Sequence, residues 1–193
     1  MSYATGELDR MFAAMMMLCV VEELDLTASP PKVRVRRGGW ISAWVRWHSQ
    51  AAGKARHWRV PSKGEQGMLL SPSGNPAMGT FVPGLYGDAG PAPDNRDHVE
   101  VWSFEDGGSL TYDWQAGSYT IDLPTGTVSV KVGGSELVVT DGQVEMLAGQ
   151  ITLTGPTTIS GAVTIDGPLT VAGDILGGGA IIDTTGNTPN HAH

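Results

Sequence analysis

Apolar and polar positions alternate along the chain in a way that predicts one short helix followed by many short strands. Residues 5–16 carry apolar side chains at helical spacing, and Thr5 is a suitable cap for such a helix. These apolar positions are Leu8, Met11, Phe12, Met15 and Met16. We therefore expect an N-terminal helical segment within residues 1–17.

The next part of the chain, residues 18–87, has the composition and punctuation of short strands. An apolar run continues from Leu18, and four later segments show strand-like patterns between Gly- and Pro-containing turns. These segments are residues 33–36, 40–47, 67–70 and 79–82. Five short strands without an intervening helix favour a small closed barrel, because closure removes exposed sheet edges. We expect an OB-fold barrel here.

A Gly, Pro and Asp-rich stretch at residues 88–97 predicts a linker, and the chain changes character after it. Strand patterns then recur every eight to ten residues as far as residue 147. The predicted strands are residues 99–104, 109–114, 118–123, 127–132, 136–140 and 143–147. Residues 98–193 are therefore expected to form a second, all-β region.

A six-residue repeat follows these strands. Glycine recurs at every sixth position, and threonine keeps the same period over four units. The glycines are Gly149, Gly155, Gly161, Gly167, Gly173 and Gly179, and the threonines are Thr152, Thr158, Thr164 and Thr170. The residues on either side of each threonine share one strand face and are apolar apart from Thr157, while each glycine allows the chain to turn. Short fixed periods of this kind are typical of β-helices.

The repeat is too short to form a β-helix from one chain. Residues 150–179 would complete fewer than two triangular coils, and repeat folds need about three or more stacked units to bury their apolar face. Three chains wound around each other solve this problem, because each supplies one edge of a shared triangle. The predicted shared core consists of Ile151, Leu153, Ile159, Val163, Ile165, Leu169, Val171 and Ile175. The alternative is an antiparallel sandwich with a coincidental glycine period.

The charge distribution separates the two halves. Residues 1–96 carry a balance of +3, whereas residues 97–193 carry −11 and a single basic residue, Lys131. The acidic half argues against nucleic-acid binding. The basic residues of the first half are interpreted as a solvated face, and the alternative is a patch that meets an acidic partner; they are Lys32, Arg34, Arg36, Arg37, Arg46, Arg56 and Arg59.

The sequence shows neither a disulfide pattern nor a secretory signal. Cys19 has no second cysteine with which to form a disulfide or a zinc pair, and it lies in an apolar run, so a buried inert thiol is expected. The apolar run of residues 11–21 is too short to span a bilayer and has no basic segment before it. We expect the chain to fold in the cytoplasm.

Two histidines, His191 and His193, lie two positions apart. On an extended strand they point to the same side, so three chains would offer six imidazoles around a threefold axis. Six imidazoles fill an octahedral shell, although the ligand type alone does not distinguish iron from nickel, copper or zinc. The alternative is a frayed polar tail. The scattered His48, His57 and His98 are interpreted as surface or loop residues.

The motifs expected of common enzymes are not found in the sequence. It contains no Gly-x-Ser-x-Gly elbow, no phosphate-binding loop and no His-Glu-x-x-His pair. We therefore predict a structural protein with no catalytic residues.

Taken together, these features resemble the central spike proteins of contractile tails, the phage baseplate assembly protein V family of Mu-like phages and R-type pyocins. Residues 20–47, with the Val33–Arg36 alternation, look like the OB-fold opening of that family, and the glycine repeat looks like its triple-stranded β-helix. His191-Ala192-His193 matches the His-x-His tip of the family.

The resemblance implies a homotrimer with one iron ion per trimer, bound by His191 and His193 of all three chains. It also implies a place in the tail baseplate of a virion or pyocin particle, docked to the hub under the tail tube through the +3 half. Sheath contraction would then drive the acidic needle through the outer membrane of the target cell.

Three competing functions fit the sequence less well. A trimeric hexapeptide-repeat acyltransferase needs a catalytic histidine within its coils, and none of His48, His57 or His98 lies in the hexads. A spike fused to a tail lysozyme needs an insert between barrel and needle that this chain lacks. A receptor-binding tail fibre usually ends in a larger head domain.

Overall fold

The computed structural model describes residues 3–179, and they divide into two compact units that meet between Gly126 and Thr127. One helix precedes twelve strands. The elements are α1 (Tyr3–Met15), β1 (Met16–Asp25), β2 (Lys32–Arg37), β3 (Trp40–Ile41), β4 (Arg46–Trp47), β5 (Gln66–Leu70), β6 (Thr80–Leu85), β7 (Val99–Ser103), β8 (Ser109–Asp113), β9 (Ser118–Asp122), β10 (Val128–Val132), β11 (Ser135–Val139) and β12 (Val144–Leu147), with short 3₁₀ turns at Pro72–Gly74 and Pro76–Met78.

The predicted N-terminal helix is present, but it ends one residue earlier than the apolar spacing indicates. Met16 already belongs to β1 and pairs with Leu70 of β5. From here burial alternates with period two, so that Met17 and Cys19 are buried while Met16 and Leu18 are exposed. The run of methionines fits either period in the sequence, and pairing with β5 decides in favour of the strand.

Strands β1 to β6 form one sheet in the order β3-β2-β1-β5-β6-β4. All neighbours are antiparallel except β4 and β6, which run parallel. One face of this sheet holds the core, where each fully buried aliphatic or aromatic side chain contributes about 1.5–3 kcal/mol. The core residues are Met17, Cys19, Val21, Val33, Val35, Val45, Leu69 and Phe81.

The strand predicted for residues 40–47 is interrupted, which corrects the sequence interpretation. The hydroxyl of the buried Ser42 accepts a hydrogen bond from the Val35 amide at 3.0 Å and donates one to the Ala43 carbonyl at 2.7 Å. A side chain that binds the backbone locally replaces ladder hydrogen bonds. The segment therefore forms β3 at its start and β4 at its end, each two residues long.

In the described residues, a single β-bridge closes the ring of strands that was predicted as a barrel. β3 and β4 lie at the two ends of the sheet and do not pair with each other. Val45, directly before β4, exchanges two backbone hydrogen bonds with Val33 of β2, at 2.8 and 3.0 Å. The ring of strands is thus bridged at one residue pair instead of by a continuous ladder.

The segment predicted as a linker is fixed to the strand that follows it. The Arg96 guanidinium makes ion pairs with Asp94 at 2.7 Å and with Asp113 of β8 at 3.2 Å. These contacts lower the pKa of Asp94, chiefly through the hydrogen bond from Arg96, and raise that of Arg96 itself. The proposed division of the chain at residues 88–97 stays a prediction.

The six strands predicted between residues 99 and 147 are all present within one residue or two of their expected bounds. They form two antiparallel three-stranded sheets, β7-β8-β9 and β10-β11-β12. In contrast, residues 148–179 form no strand in the single chain.

Candidate functional site

The sheet β7-β8-β9 has one apolar, aromatic face. Residues that pair directly across antiparallel strands share a face, and faces alternate along each strand. The register therefore places Glu100 beside Tyr112 and Tyr119, and Trp102 beside Leu110 and Ile121. The other face carries small and polar side chains, including Ser103, Thr111 and Thr120.

Solvent reaches this apolar face in the single chain. Trp102 is 48% exposed, Tyr119 64% and Ile121 47%. Aromatic packing within the face is limited to pairs such as Tyr112 and Tyr119, whose ring centroids are 6.3 Å apart. Trp102, Leu110 and the two tyrosines line a shallow cavity together with Glu100, whose carboxylate accepts a hydrogen bond from Trp102 Nε1 at 3.0 Å. Exposed apolar patches of this kind mark interaction surfaces.

The sheet β10-β11-β12 repeats the arrangement without aromatic residues. Its register groups aliphatic side chains on one face, most of them more than one-third exposed. These residues are Val128, Val130, Val132, Leu137, Val139, Val144 and Met146. The opposite face carries the ion pair between Lys131 and Glu136, 2.9 Å apart. The Ser129 hydroxyl, followed by Lys131, lowers the pKa of the Glu136 carboxyl.

The hexads also expose apolar side chains to solvent in the single chain. Every apolar residue predicted for the shared core is exposed in the single chain, with exposed fractions between 45% and 66%. Residues 148–179 form no backbone–backbone hydrogen bond with one another or with other described residues. Buried backbone amides and carbonyls in a folded protein are almost always paired, whereas the exposed backbone of these hexads is left to water in the single chain.

The hexad glycines make the turns that the repeat predicts. Gly155, Gly161 and Gly167 have φ values of +105°, +136° and +154°, which residues with a Cβ rarely adopt. Nothing lies within 4 Å of a Cβ built at any of the three. Backbone conformation, rather than space, is what requires glycine at these corners of the single chain.

The predicted metal ligands His191 and His193 lie outside the described residues. Within residues 3–179, no group of three His, Cys, Asp or Glu side chains could hold a metal ion. His48 lies at the surface, the His57 ring contacts Trp102 edge-on at 6.2 Å, and His98 lies 3.1 Å from Asp97. The described histidines therefore occupy unrelated places.

Three of the seven basic residues singled out in the first half form ion pairs with acidic residues on adjacent strands and loops. Arg36 pairs with Glu22 at 2.8 Å, and Arg59 pairs with Glu65 at 2.8 Å. Arg34 lies 3.5 Å from Glu23, and its guanidinium lies 4.8 Å from the ring centroid of Trp44. The set contributes individual surface ion pairs, and such pairs stabilise a fold only weakly.

Comparison with known proteins covers both halves of the chain. Residues 17–86 match the family model of the type VI secretion system and phage-baseplate injector OB domain, and residues 100–177 match the model of the Gp138 β-helical trimerization domain. The spike protein of Escherichia phage P2 is 29% identical over 151 residues, which cover 78% of this chain and 70% of the phage protein.

The chain resembles phage baseplate spike proteins over both of its halves.

The two domain matches confirm the architecture that the sequence predicted. Apart from α1 the fold is all-β, with an OB domain followed by a β-helical trimerization domain. The trimerization match begins on β7 and ends within the hexads, so it includes every exposed apolar face described above. Among the described residues, no helix combines the length and apolar character that crossing a bilayer requires.

The sequence interpretation missed part of the apolar surface. It assigned core positions to the hexads but none to the earlier strands, where Trp102, Tyr112 and Ile121 share a face. The signal was available, because the same period-two alternation that predicted the strands also separates the two faces.

Proposed function

We propose that three copies of the chain form a homotrimeric spike whose core consists of the exposed apolar faces of residues 100–177. The observation that carries this proposal is the series of apolar faces that a single chain leaves in water, in the segment that matches a trimerization domain. Three copies placed around an axis cover these faces at once. The charged opposite face, with Lys131 and Glu136, then faces the solvent.

The unpaired backbone of residues 148–179 supports the same assembly. Intertwined chains pair each hexad with hexads of the neighbouring copies, which provides the hydrogen bonds that one chain lacks. Such a rod resists dissociation, since removal of one chain breaks every layer together. Its stability is then kinetic, which suits a protein with a single cysteine and no disulfide.

We further propose that His191 and His193 of three copies bind one iron ion and thereby tie the chain ends together. Imidazole is a suitable ligand for iron, and two imidazoles per chain give the number that an octahedral ion requires. Bound metal would add stability to the trimer because it binds only the assembled state. The support for this site is the donor set itself together with the trimeric assembly.

The spike would act mechanically in a contractile tail, without catalysis. We propose that it assembles in the bacterial cytoplasm, docks to the baseplate hub below the tail tube through its first half, and is driven through the target outer membrane by sheath contraction. The families that it matches are described as injector and trimerization domains. An acyltransferase or a receptor-binding fibre receives no support from the described residues, whose hexads contain no histidine.

One experiment tests both the trimer and the metal. The purified chain and a His191→Ala/His193→Ala variant are compared by mass in solution and by elemental analysis. A trimer with one iron ion, which the variant loses while it stays trimeric, is the expected result. A metal-free trimer would eliminate the iron site alone, whereas a monomer would eliminate the spike proposal.

Piercing is tested separately, in a tail particle that depends on this spike. Particles that assemble with the His191→Ala/His193→Ala variant should contract normally. They should, however, cause less leakage of contents from the target cells than particles with the unchanged spike. Equal release would show that the tip metal has no part in penetration.

A further inference from the structure

Helix α1 carries an apolar stripe that no other part of residues 3–179 covers. Leu8, Phe12 and Met15 follow one another at intervals of four and three residues, so they lie on one face of the helix. They are 52%, 69% and 41% exposed. The neighbouring face, with Met11 and Ala14, is the one that is half-buried. We call Leu8, Phe12 and Met15 the helix stripe.

The sheet of the OB domain also has an uncovered apolar face, opposite its core. Met16 and Leu18 of β1 pair with Leu70 and Met68 of β5, and Met68 pairs in turn with Val82 of β6. Met16 is 67% exposed, Leu18 63% and Leu70 40%. Antiparallel sheets usually place one face on the core and polar residues on the other. A sheet that is apolar on both sides needs a second cover. We call these five residues the outer sheet face.

The helix cannot provide that cover within its own chain. It continues into β1 without a connecting residue, and the Ser71 amide donates a hydrogen bond to the Met15 carbonyl at 2.8 Å. Gly74 lies so close to the Met11 backbone that a Cβ there would be 2.4 Å from the Met11 carbonyl oxygen. To fold back over β1 the helix would have to break these contacts and acquire a turn. The stripe and the outer sheet face therefore need a partner from another molecule.

We propose that the helix stripe of one copy packs against the outer sheet face of the next copy around the threefold axis. This inference rests on the proposed trimer. A cyclic trimer uses heterologous contacts, in which two different complementary patches on each copy meet. The N-terminal region offers such a pair, one helical and one on a sheet, and helix-on-sheet packing is a common way to bury both.

The connection between the two regions favours this contact. Only thirteen residues separate the end of β6 at Leu85 from the start of β7 at Val99. Trimerization of residues 100–177 therefore holds three OB domains within a short tether, where effective concentrations are about millimolar. The OB domain match begins at residue 17, so α1 lies outside the matched domain.

Thiol labelling of the purified trimer tests whether the helix stripe is covered. Phe12→Cys and Met78→Cys place a thiol at two sites that are equally exposed in the single chain, at 69% each. If Phe12 is covered, its thiol should react with a maleimide about tenfold more slowly than the Met78 control, because it reacts only when the contact opens. The native Cys19 is buried, and burial raises its thiol pKa, so its background is low. Equal rates in a confirmed trimer would overturn the proposal.

Disulfide trapping identifies the partner. A Phe12→Cys/Leu18→Cys chain is oxidised and separated without reductant, with each single variant as a control. Cross-linked dimers and trimers only in the double variant are the expected result. A disulfide within one chain, or none at all, would contradict the contact between copies and would leave a baseplate partner as the occupant. A chain that is monomeric by mass before oxidation would instead refute the proposed trimer.

Discussion

Gly74 lies directly against Met11, with the site of its absent Cβ 2.4 Å from the Met11 carbonyl oxygen and 2.6 Å from its Cα. Gly74 also has a φ of +67°. Two independent requirements therefore select glycine at this position, since a side chain would meet helix backbone that cannot yield and would also be strained. The contact fixes the direction in which α1 leaves the OB domain.

Gly74→Ala should release helix α1 from the domain. The positive φ costs about 1–2 kcal/mol for a residue with a Cβ, and the clash with Met11 adds about 1–3 kcal/mol. Gly84→Ala is the matched control, because Gly84 has a φ of +96° but open space around its Cβ site. Thermal unfolding and limited proteolysis of the helix should show a larger loss for Gly74→Ala. Equal losses would mean that the contact with Met11 contributes nothing.

Ile121→Asp should prevent or weaken trimer formation. Ile121 belongs to the aromatic face of β7-β8-β9, and an unpaired carboxylate buried there costs several kcal/mol in each copy. Thr120→Asp introduces the same charge on the opposite face of the same strand. Mass in solution at several concentrations separates the two, and the Thr120 variant should stay trimeric. The face assignment is refuted if both variants behave alike.

Gly155→Ala should shorten the lifetime of the assembled spike. Its φ of +105° requires glycine, and the strain amounts to about 1–2 kcal/mol in each chain. Gly173 occupies the same place in a later hexad without a positive φ, so Gly173→Ala is the control. The half-life of the trimer in guanidinium chloride is the suitable measurement, because strain in a kinetically stable rod increases its dissociation rate.

Arg96→Gln should raise the pKa of Asp94 much more than that of Asp113. The hydrogen bond from Arg96 is the main cause of the lowered pKa of Asp94, whereas the Ala116 amide is the main cause at Asp113. A carboxyl whose folded pKa is lowered stabilises the fold above its ordinary pKa near 4, and this contribution is lost as the pH falls through the folded value. The variant should therefore lose its Asp94 contribution at a higher pH than the native chain.

Carboxyl chemical shifts followed by NMR during an acid titration check this prediction. Asn95→Ala is a control that keeps Arg96 in place. A similar rise at Asp94 and Asp113 in Arg96→Gln would show that the guanidinium acts on both carboxyls alike.

Period-two alternation was sufficient to predict most strands, because every strand from β7 to β12 places alternate residues on opposite faces. The same pattern failed at residues 40–47, where the Ser42 hydroxyl captures the Val35 amide and interrupts the ladder. Such a local side-chain bond leaves no mark on the alternation of apolar residues. Closure at Val33 and Val45 depends on sheet curvature, which hydrophobic pattern does not encode.

The candidate surface was only half predictable for a related reason. The regular spacing of glycine identifies the hexads in the sequence. The sheet that contains Trp102 and Tyr112 has no such repeat, and only the strand register separates its two faces. The two-sided apolar character of β1 was likewise hidden, since four consecutive apolar residues from Met15 to Leu18 fit helix and strand equally well.

The distribution of buried residues also has a consequence for how the spike is made. All residues of the hydrophobic core found in the described chain lie between Met17 and Phe81, so the OB domain can fold as each chain is synthesised. In the proposed trimer, residues 127–179 would gain a comparable interior only on meeting other chains, and their folding would be a reaction of higher order in concentration. Before that encounter the uncovered strands and apolar faces are free to pair with any similar chain. The rate of association therefore sets the fraction of chains that reach the spike and do not aggregate.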